Sequence, residues 1–103
     1  MATTGGRKIE VENFTSPGHV TRVDADKYEA MREAYLKVVT GEGPGLTPAE
    51  IRRQLDAHLP QDLFPGGEKA GWWAKCVQLD LEAKGVIVRE PTGPVRLRRA
   101  PGR

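Results

Sequence analysis

The segment GWWAKCVQLDLEAKGVIVR, from Gly71 to Arg89, restricts the fold more than any other part of the chain. At 100° per residue, Trp72, Cys76, Leu79 and Ala83 fall in one arc and Trp73, Ala74, Val77 and Leu81 in a second. Lys75, Gln78 and Glu82 hold the remaining side. Apolar residues spread over well more than about 100° need cover on two sides, from other parts of the chain or from a partner. Gly85 matches the left-handed residue that ends helices, and Lys84 puts a cation where the helix dipole favours one. The β-branched Val86, Ile87 and Val88 then begin a strand. An enclosed helix thus hands over directly to a strand.

Around that segment there is room for one small core. With 103 residues, 38% hydrophobic and 29% charged, the chain is expected to form a single domain over 7–99, between a tail at 1–6 and a frayed end at 100–103. No stretch approaches the ~18 uninterrupted apolar residues of a membrane span. The start, MATTGGRKIE, has no apolar signal region, so the expected location is cytoplasmic. A single cysteine excludes an internal disulfide. Charge is uneven: residues 89–103 hold five arginines against Glu90 alone, a net +4, which leaves residues 1–88 at −2 within the chain's overall +2.

Taken in order, Arg7 to Phe14 alternates around Ile9 and Val11, and His19 to Val23 alternates again after Ser16-Pro17-Gly18. The two runs predict a short hairpin with Glu10 and Glu12 on its wet face. Asp24 is a good N-cap for a helix to about Val39, whose Tyr28, Met31, Tyr35, Val38 and Val39 recur at three- and four-residue spacing. Gly41-Glu42-Gly43-Pro44-Gly45 ends that helix. Thr47-Pro48-Ala49-Glu50 is a capping box with proline at the first helical position, and it opens a helix with Ile51, Leu55 and Leu59 as its buried stripe. Pro60 to Gly71 is a loop whose Leu63 and Phe64 turn inward. After the central helix, strands at Val86–Glu90 and Val95–Arg99 flank the turn formers Pro91-Thr92-Gly93-Pro94. Val95 and Leu97 are expected to pack, while Arg96 and Arg98 point outward.

No catalytic constellation emerges. Cys76 lies mid-helix on an apolar arc with His19 and His58 far away in sequence, the pattern of a buried structural thiol. One cysteine and two scattered histidines have no metal-ligand spacing. Neither a cofactor nor a small-molecule substrate is indicated, and a non-enzymatic protein is the expectation.

Helix, capped helix, loop, helix and β-hairpin is the order of the winged helix-turn-helix superfamily. Leu81-Glu82-Ala83-Lys84-Gly85-Val86-Ile87 followed by Arg89 resembles the end of its third helix and the first wing strand, and Thr47-Pro48-Ala49-Glu50-Ile51 resembles the start of its second helix. The resemblance implies an α+β fold of three helices and a C-terminal wing, here preceded by an N-terminal hairpin. The chain also resembles a family of small uncharacterised bacterial proteins that share Leu-Phe-Pro-Gly-Gly, Lys-Ala-Gly-Trp-Trp and Val-Gln-Leu-Asp-Leu-Glu, present from Leu63 to Glu82.

In winged-helix DNA binders the third helix enters the major groove and a basic wing touches the backbone. The resemblance therefore implies duplex DNA as partner, with Arg89, Arg96, Arg98 and Arg99 at phosphates. The positions that reach bases fall near Trp72, Trp73, Cys76 and Asp80, which leaves Lys75 and Gln78 as base readers. The competing expectation is a protein-interaction or homodimerisation module, with Trp72, Trp73, Cys76 and Leu79 at the interface.

Overall fold

The computed structural model describes residues 7–41, 43, 45–67, 69–90 and 93–100. The tail expected over 1–6, the turn residues Pro91 and Thr92, and positions 101–103 of the expected frayed end lie outside the described residues. Strands β1 (Lys8–Glu12) and β2 (Val20–Asp24) come first, then helices α1 (Ala25–Val38), α2 (Pro48–Leu55) and α3 (Ala70–Ala83), then strands β3 (Ile87–Arg89) and β4 (Leu97–Arg99). The architecture is α+β, with three helices and two small antiparallel sheets among the described residues.

The first hairpin has the expected two-sided character. Ile9 pairs with Val23 and Val11 with Thr21 on the inner face, where Val11 and Val23 are buried. On the outer face Lys8 lies opposite Asp24 and Glu10 opposite Arg22, pairings of opposite charge that favour this register. A slip of one residue would turn those charges inward. Glu10 and Glu12 are exposed, as the alternation predicts.

Asp24 ends β2 and also caps α1, its carboxylate accepting from Lys27 N at 3.1 Å. Tyr28, Met31, Tyr35 and Val38 face the core, as their spacing requires. The other end of α1 is capped from a distance: the Arg99 guanidinium donates to the carbonyls of Val39, at 2.9 Å, and of Leu36. These carbonyls have no partner inside the helix, so the arginine takes the place of water.

The capping box at Thr47 is formed in both directions. Glu50 N donates to Thr47 Oγ1 at 3.2 Å, and Thr47 N donates to the Glu50 carboxylate at 2.9 Å. That backbone hydrogen bond, more than the nearby Arg96, holds the Glu50 carboxyl below its usual range. The helix expected to reach Leu59 stops earlier: α2 ends at Leu55 and Asp56–His58 tighten into a 3₁₀ turn. The cause is Pro60, whose ring disfavours the α conformation in the residue before it; Leu59 is extended at φ −93, ψ 132. Leu59 is nonetheless buried with Ile51 and Leu55, and Phe64 from the following loop is fully buried.

In the C-terminal sheet, Ile87 pairs with Arg99 and Arg89 with Leu97. Leu46 joins from the far side of β4, donating to Leu97 O at 3.0 Å and accepting from Leu97 N at 2.8 Å. Gly45 makes this approach possible. Its φ is +93, and a Cβ there would stand 2.9 Å from Leu97 O. Leu97 is fully buried, but Val95, expected to pack beside it, precedes the paired strand and is exposed. Side chains from all three helices, Val11 and Val23 of the first hairpin, and Ile87 and Leu97 of the second form one core.

Candidate functional site

Backbone conformation fixes α3 at both ends. Gly66, Gly67 and Lys69 all have positive φ and turn the chain into the helix, which begins without a capping side chain. At the far end Gly85, φ +75, donates to Glu82 O at 3.2 Å, and Val86 N donates to Leu81 O at 2.9 Å. This is the Schellman pair that the Lys84-Gly85-Val86 sequence predicts.

Between those ends the helix is enclosed more completely than its apolar arcs imply. No residue from 77 to 82 is exposed. Gln78 and Glu82, expected on the wet side, are 3% and 6% exposed, and Asp80, expected where bases would be reached, is 0% exposed. Polar side chains enter a core when each finds a partner, and these do. Asp80 accepts from Glu12 N at 2.8 Å, from the Tyr28 hydroxyl and from Lys84 Nζ at 3.0 Å. Glu82 accepts from Arg89 Nε at 2.5 Å and Nη2 at 2.9 Å, and from the Gln78 amide at 3.1 Å. That carboxylate raises the Arg89 pKa above its already high value.

Trp72, whose arc was expected to be covered by other parts of the chain or by a partner, is 58% exposed in the single chain. Its ring stands edge-on to Trp73, with centroids 5.0 Å apart and planes at 81°. Further along the same stripe, the partly buried Cys76 and Leu79 join Trp72 in one wall of a cleft of about 220 Å³. Val11, Thr21 and Val23 from the inner face of the first hairpin line the other side, and Lys75, Glu12, Asn13 and His19 complete the lining. The hairpin is held to α3 by Glu12 N on Asp80 and by Phe14 N, which donates to Leu79 O at 3.2 Å. The Arg89 guanidinium lies over the Phe14 ring, 4.9 Å from its centroid.

Folding brings His19 and Cys76 to the same cleft. Burial, reinforced by Asp80, pushes the Cys76 thiol up to about 11, opposite to what an activated nucleophile requires. Among the described residues, no group of three or more His, Cys, Asp or Glu side chains could hold a metal ion, and no helix is long and apolar enough to cross a membrane.

The expected nucleic-acid contacts are largely engaged within the chain. Arg89 is bound to Glu82 and Arg98 to Glu90 at 3.0 Å. Arg96 lies 3.8 Å from Glu50 and 3.5 Å from Gly45 O, and Arg99 caps α1. Gln78 is buried on Glu82. Lys75 is exposed, with no hydrogen-bond or ion-pair partner among the described residues. Of the expected interface set, Trp72, Cys76 and Leu79 meet in the cleft, while Trp73 is 7% exposed and packs beneath. Sequence reasoning missed the partnership of Tyr28, Asp80 and Glu12. The available signal was an acid set among Val77, Leu79 and Leu81 with a lysine one turn on.

Neither the curated proteins nor the solved structures gave a match. A family model, described as a family of unknown function (DUF6958), matches residues 8–97. The match runs from the first residue of β1 to the first of β4 and spans the first hairpin, all three helices, β3 and the cleft between α3 and β1–β2. The chain therefore belongs to the DUF6958 family.

Proposed function

We propose that the domain is a winged-helix fold used to bind protein rather than to read DNA, with the cleft between α3 and the first hairpin as its contact surface. The fold assignment is supported by the order of α1, capped α2, α3 and the β3–β4 pair, and by Leu46, which ties the wing to the α1–α2 connection.

The observation that carries the functional reading is the attachment of the first hairpin to α3, Glu12 N to Asp80 and Phe14 N to Leu79 O. A recognition helix must offer a polar face to the groove. Here the last two turns of α3 have the hairpin on one side and Arg89 on another, and no residue from 77 to 82 is exposed. Base edges would meet chiefly Trp72 and Lys75. At the wing, phosphates would have to displace Glu82, Glu90 and the carbonyls of α1 from their arginines. An exposed tryptophan beside an apolar cleft is instead the usual composition of a protein contact.

The net +4 of residues 89–103 favours the second reading, DNA held through the wing. Fluorescence anisotropy with a labelled mixed-sequence duplex at low salt separates the two. The expected result is binding no tighter than about 10⁻⁴ M, the weak limit of the ~10⁻⁴–10⁻⁶ M typical of non-specific binders at physiological salt, and unchanged by replacing Arg96 and Arg98 with alanine. Micromolar binding that weakens steeply with salt and is lost in that double variant would overturn the proposal in favour of DNA.

A further inference from the structure

We infer that the first hairpin is a hinged cover on α3, anchored at its base and latched at its tip, which swings open as a unit while the three helices stay packed. The inference rests on the protein-contact reading, whose contact surface is the cleft that opening widens.

The hairpin is built as a separate piece. β1 and β2 pair with each other in a sheet distinct from that of β3 and β4. The loop between them is closed on itself: Ser16 N donates to Asn13 O and His19 N to Ser16 O, each at 3.0 Å, and Thr15 N donates to the Asn13 side chain at 2.8 Å. None of these bonds reaches another element, so none has to break when the hairpin moves. From residue 7 to residue 24, Val11 and Val23 alone are buried.

Its two ends are attached differently. At the base, Ala25 N donates to Arg7 O at 3.2 Å, and the Arg7 guanidinium reaches Asp26 at 3.2 Å and Glu29 at 2.7 Å in α1. The base therefore stays with α1, which puts the hinge next to Lys8 and Asp24, where the strands leave it. At the tip, Glu12 N donates to Asp80 at 2.8 Å and Phe14 N to Leu79 O at 3.2 Å. The exposed Phe14 ring adds its contact with the Arg89 guanidinium. Between base and tip the seam is incompletely filled, since the cleft of about 220 Å³ separates Val11 and Val23 from Trp72 and Leu79. Close packing, which resists separation elsewhere in the interior, is in part missing here.

Opening does not strand the buried charge. Asp80 gives up Glu12 N but keeps the Tyr28 hydroxyl and Lys84 Nζ, at 3.0 Å, both of which remain with the helices. An element with few buried apolar groups and few outside hydrogen bonds opens at a lower free energy than the core around it.

Native-state amide hydrogen exchange, followed by NMR on the full chain, tests the cover without a partner. Ala25 N on Arg7 O sets the alternation of the ladder, so the amides of Ile9, Val11, Thr21 and Val23 are bonded inside the hairpin, while those of Glu12 and Phe14 are bonded to α3. The six are expected to share one opening, with protection at least about a hundredfold below that of Tyr35 and Val77 in the helices. Phe14→Ala removes a surface contact that opening breaks, and should lower protection of all six by about two- to fivefold. Ile51→Val trims a core residue of α2 that stays packed in the open state. It should lower protection of the helices by about two- to tenfold and leave the six unchanged. Hairpin amides as protected as those of the helices, a gradient in which the tip alone exchanges fast, no response to Phe14→Ala, or a loss of hairpin protection in Ile51→Val would each overturn the inference. Any of these leaves the protein-contact reading standing, because the cleft is present with the hairpin closed. That reading instead falls to micromolar, salt-sensitive DNA binding, which does not alter the exchange pattern of the free chain.

Discussion

The carboxylate of Asp80 in α3 accepts a hydrogen bond from the hydroxyl of Tyr28 in α1, inside the protein and across 52 residues of chain. The same carboxylate holds Glu12 N of β1 at 2.8 Å and Lys84 one turn on. One side chain thus joins the first hairpin to two helices, and it is this attachment that brings Val11, Thr21 and Val23 opposite Trp72 and Leu79. The candidate surface exists because a charge is buried beneath it.

Replacing Tyr28 with phenylalanine removes one hydrogen bond to an ionised group and should cost about 1.5–3 kcal/mol. Asp80→Ala leaves a buried phenol and a backbone N–H without a partner, each worth about 1–3 kcal/mol, and should cost roughly 2–6 kcal/mol. Because the two changes share a contact, the double variant should lose clearly less than the sum. Urea unfolding of the four proteins measures this; strict additivity would mean that the two residues act separately.

Two arginines of the second hairpin look alike in the sequence and should behave differently. Arg89 pairs with Glu82, whose side chain is 1% exposed, whereas Arg98 pairs with Glu90, whose side chain is 32% exposed. Arg89→Ala strands a buried carboxylate, a loss of about 3–5 kcal/mol. Arg98→Ala breaks a partly solvated pair worth no more than about 1 kcal/mol. Chemical denaturation of both variants under one buffer condition decides the matter, and equal losses would refute the distinction.

Local rules made much of this fold legible. The Thr47 capping box, the Asp24 cap, the Gly85 stop and the alternation of Ile9 and Val11 each name their element because neighbouring residues carry the cause. The neighbours of Gln78, Asp80 and Glu82 were not legible. A helical wheel assigns charged residues to water, and only the folded chain reveals that Tyr28, Glu12 N and Arg89 are there to meet them. For Trp72 the sequence leaves a different gap: apolarity calls for cover without naming what supplies it. The Arg99 cap of α1 also lies beyond sequence reading, since it joins residues more than half the chain apart.

Gly45 should be the glycine least tolerant of a side chain among those described. Gly45→Ala forces a positive φ on alanine and also drives its Cβ to 2.9 Å from Leu97 O, against backbone that cannot swing aside. Gly18 has a similar φ of +88, but a Cβ there meets nothing within 4 Å. Conformational strain alone costs about 1–2 kcal/mol, so Gly18→Ala should lower Tm by several degrees. Gly45→Ala should lower it by clearly more, with the loss of the Leu46–Leu97 bridge seen as faster amide exchange at Leu97. Equal shifts would show that the close approach carries no weight.

Alkaline pH should unfold the domain in a way that its two tyrosines report. Both are buried, and both phenols are raised above their ordinary value: Tyr28 by burial and then by its bond to Asp80, Tyr35 by burial and then by Glu82. In the unfolded chain they ionise near pH 10. Above that pH the unfolded state binds fewer protons than the folded one, so stability falls as pH rises. The contribution from these groups is fully present below about pH 10 and is lost as pH climbs towards the folded values. The limiting slope is about 1.4 kcal/mol per pH unit for each phenol, or roughly 2.7 for the pair. Tyrosinate absorbance at 295 nm should therefore stay flat through pH 10 and then rise in a single step that coincides with loss of the circular dichroism signal. In Tyr28→Phe the tyrosines' share of the slope should halve, since one linked phenol proton is gone. A gradual titration centred near pH 10 with helicity intact would place a phenol in water, and the buried Tyr28–Asp80 contact would not survive that result.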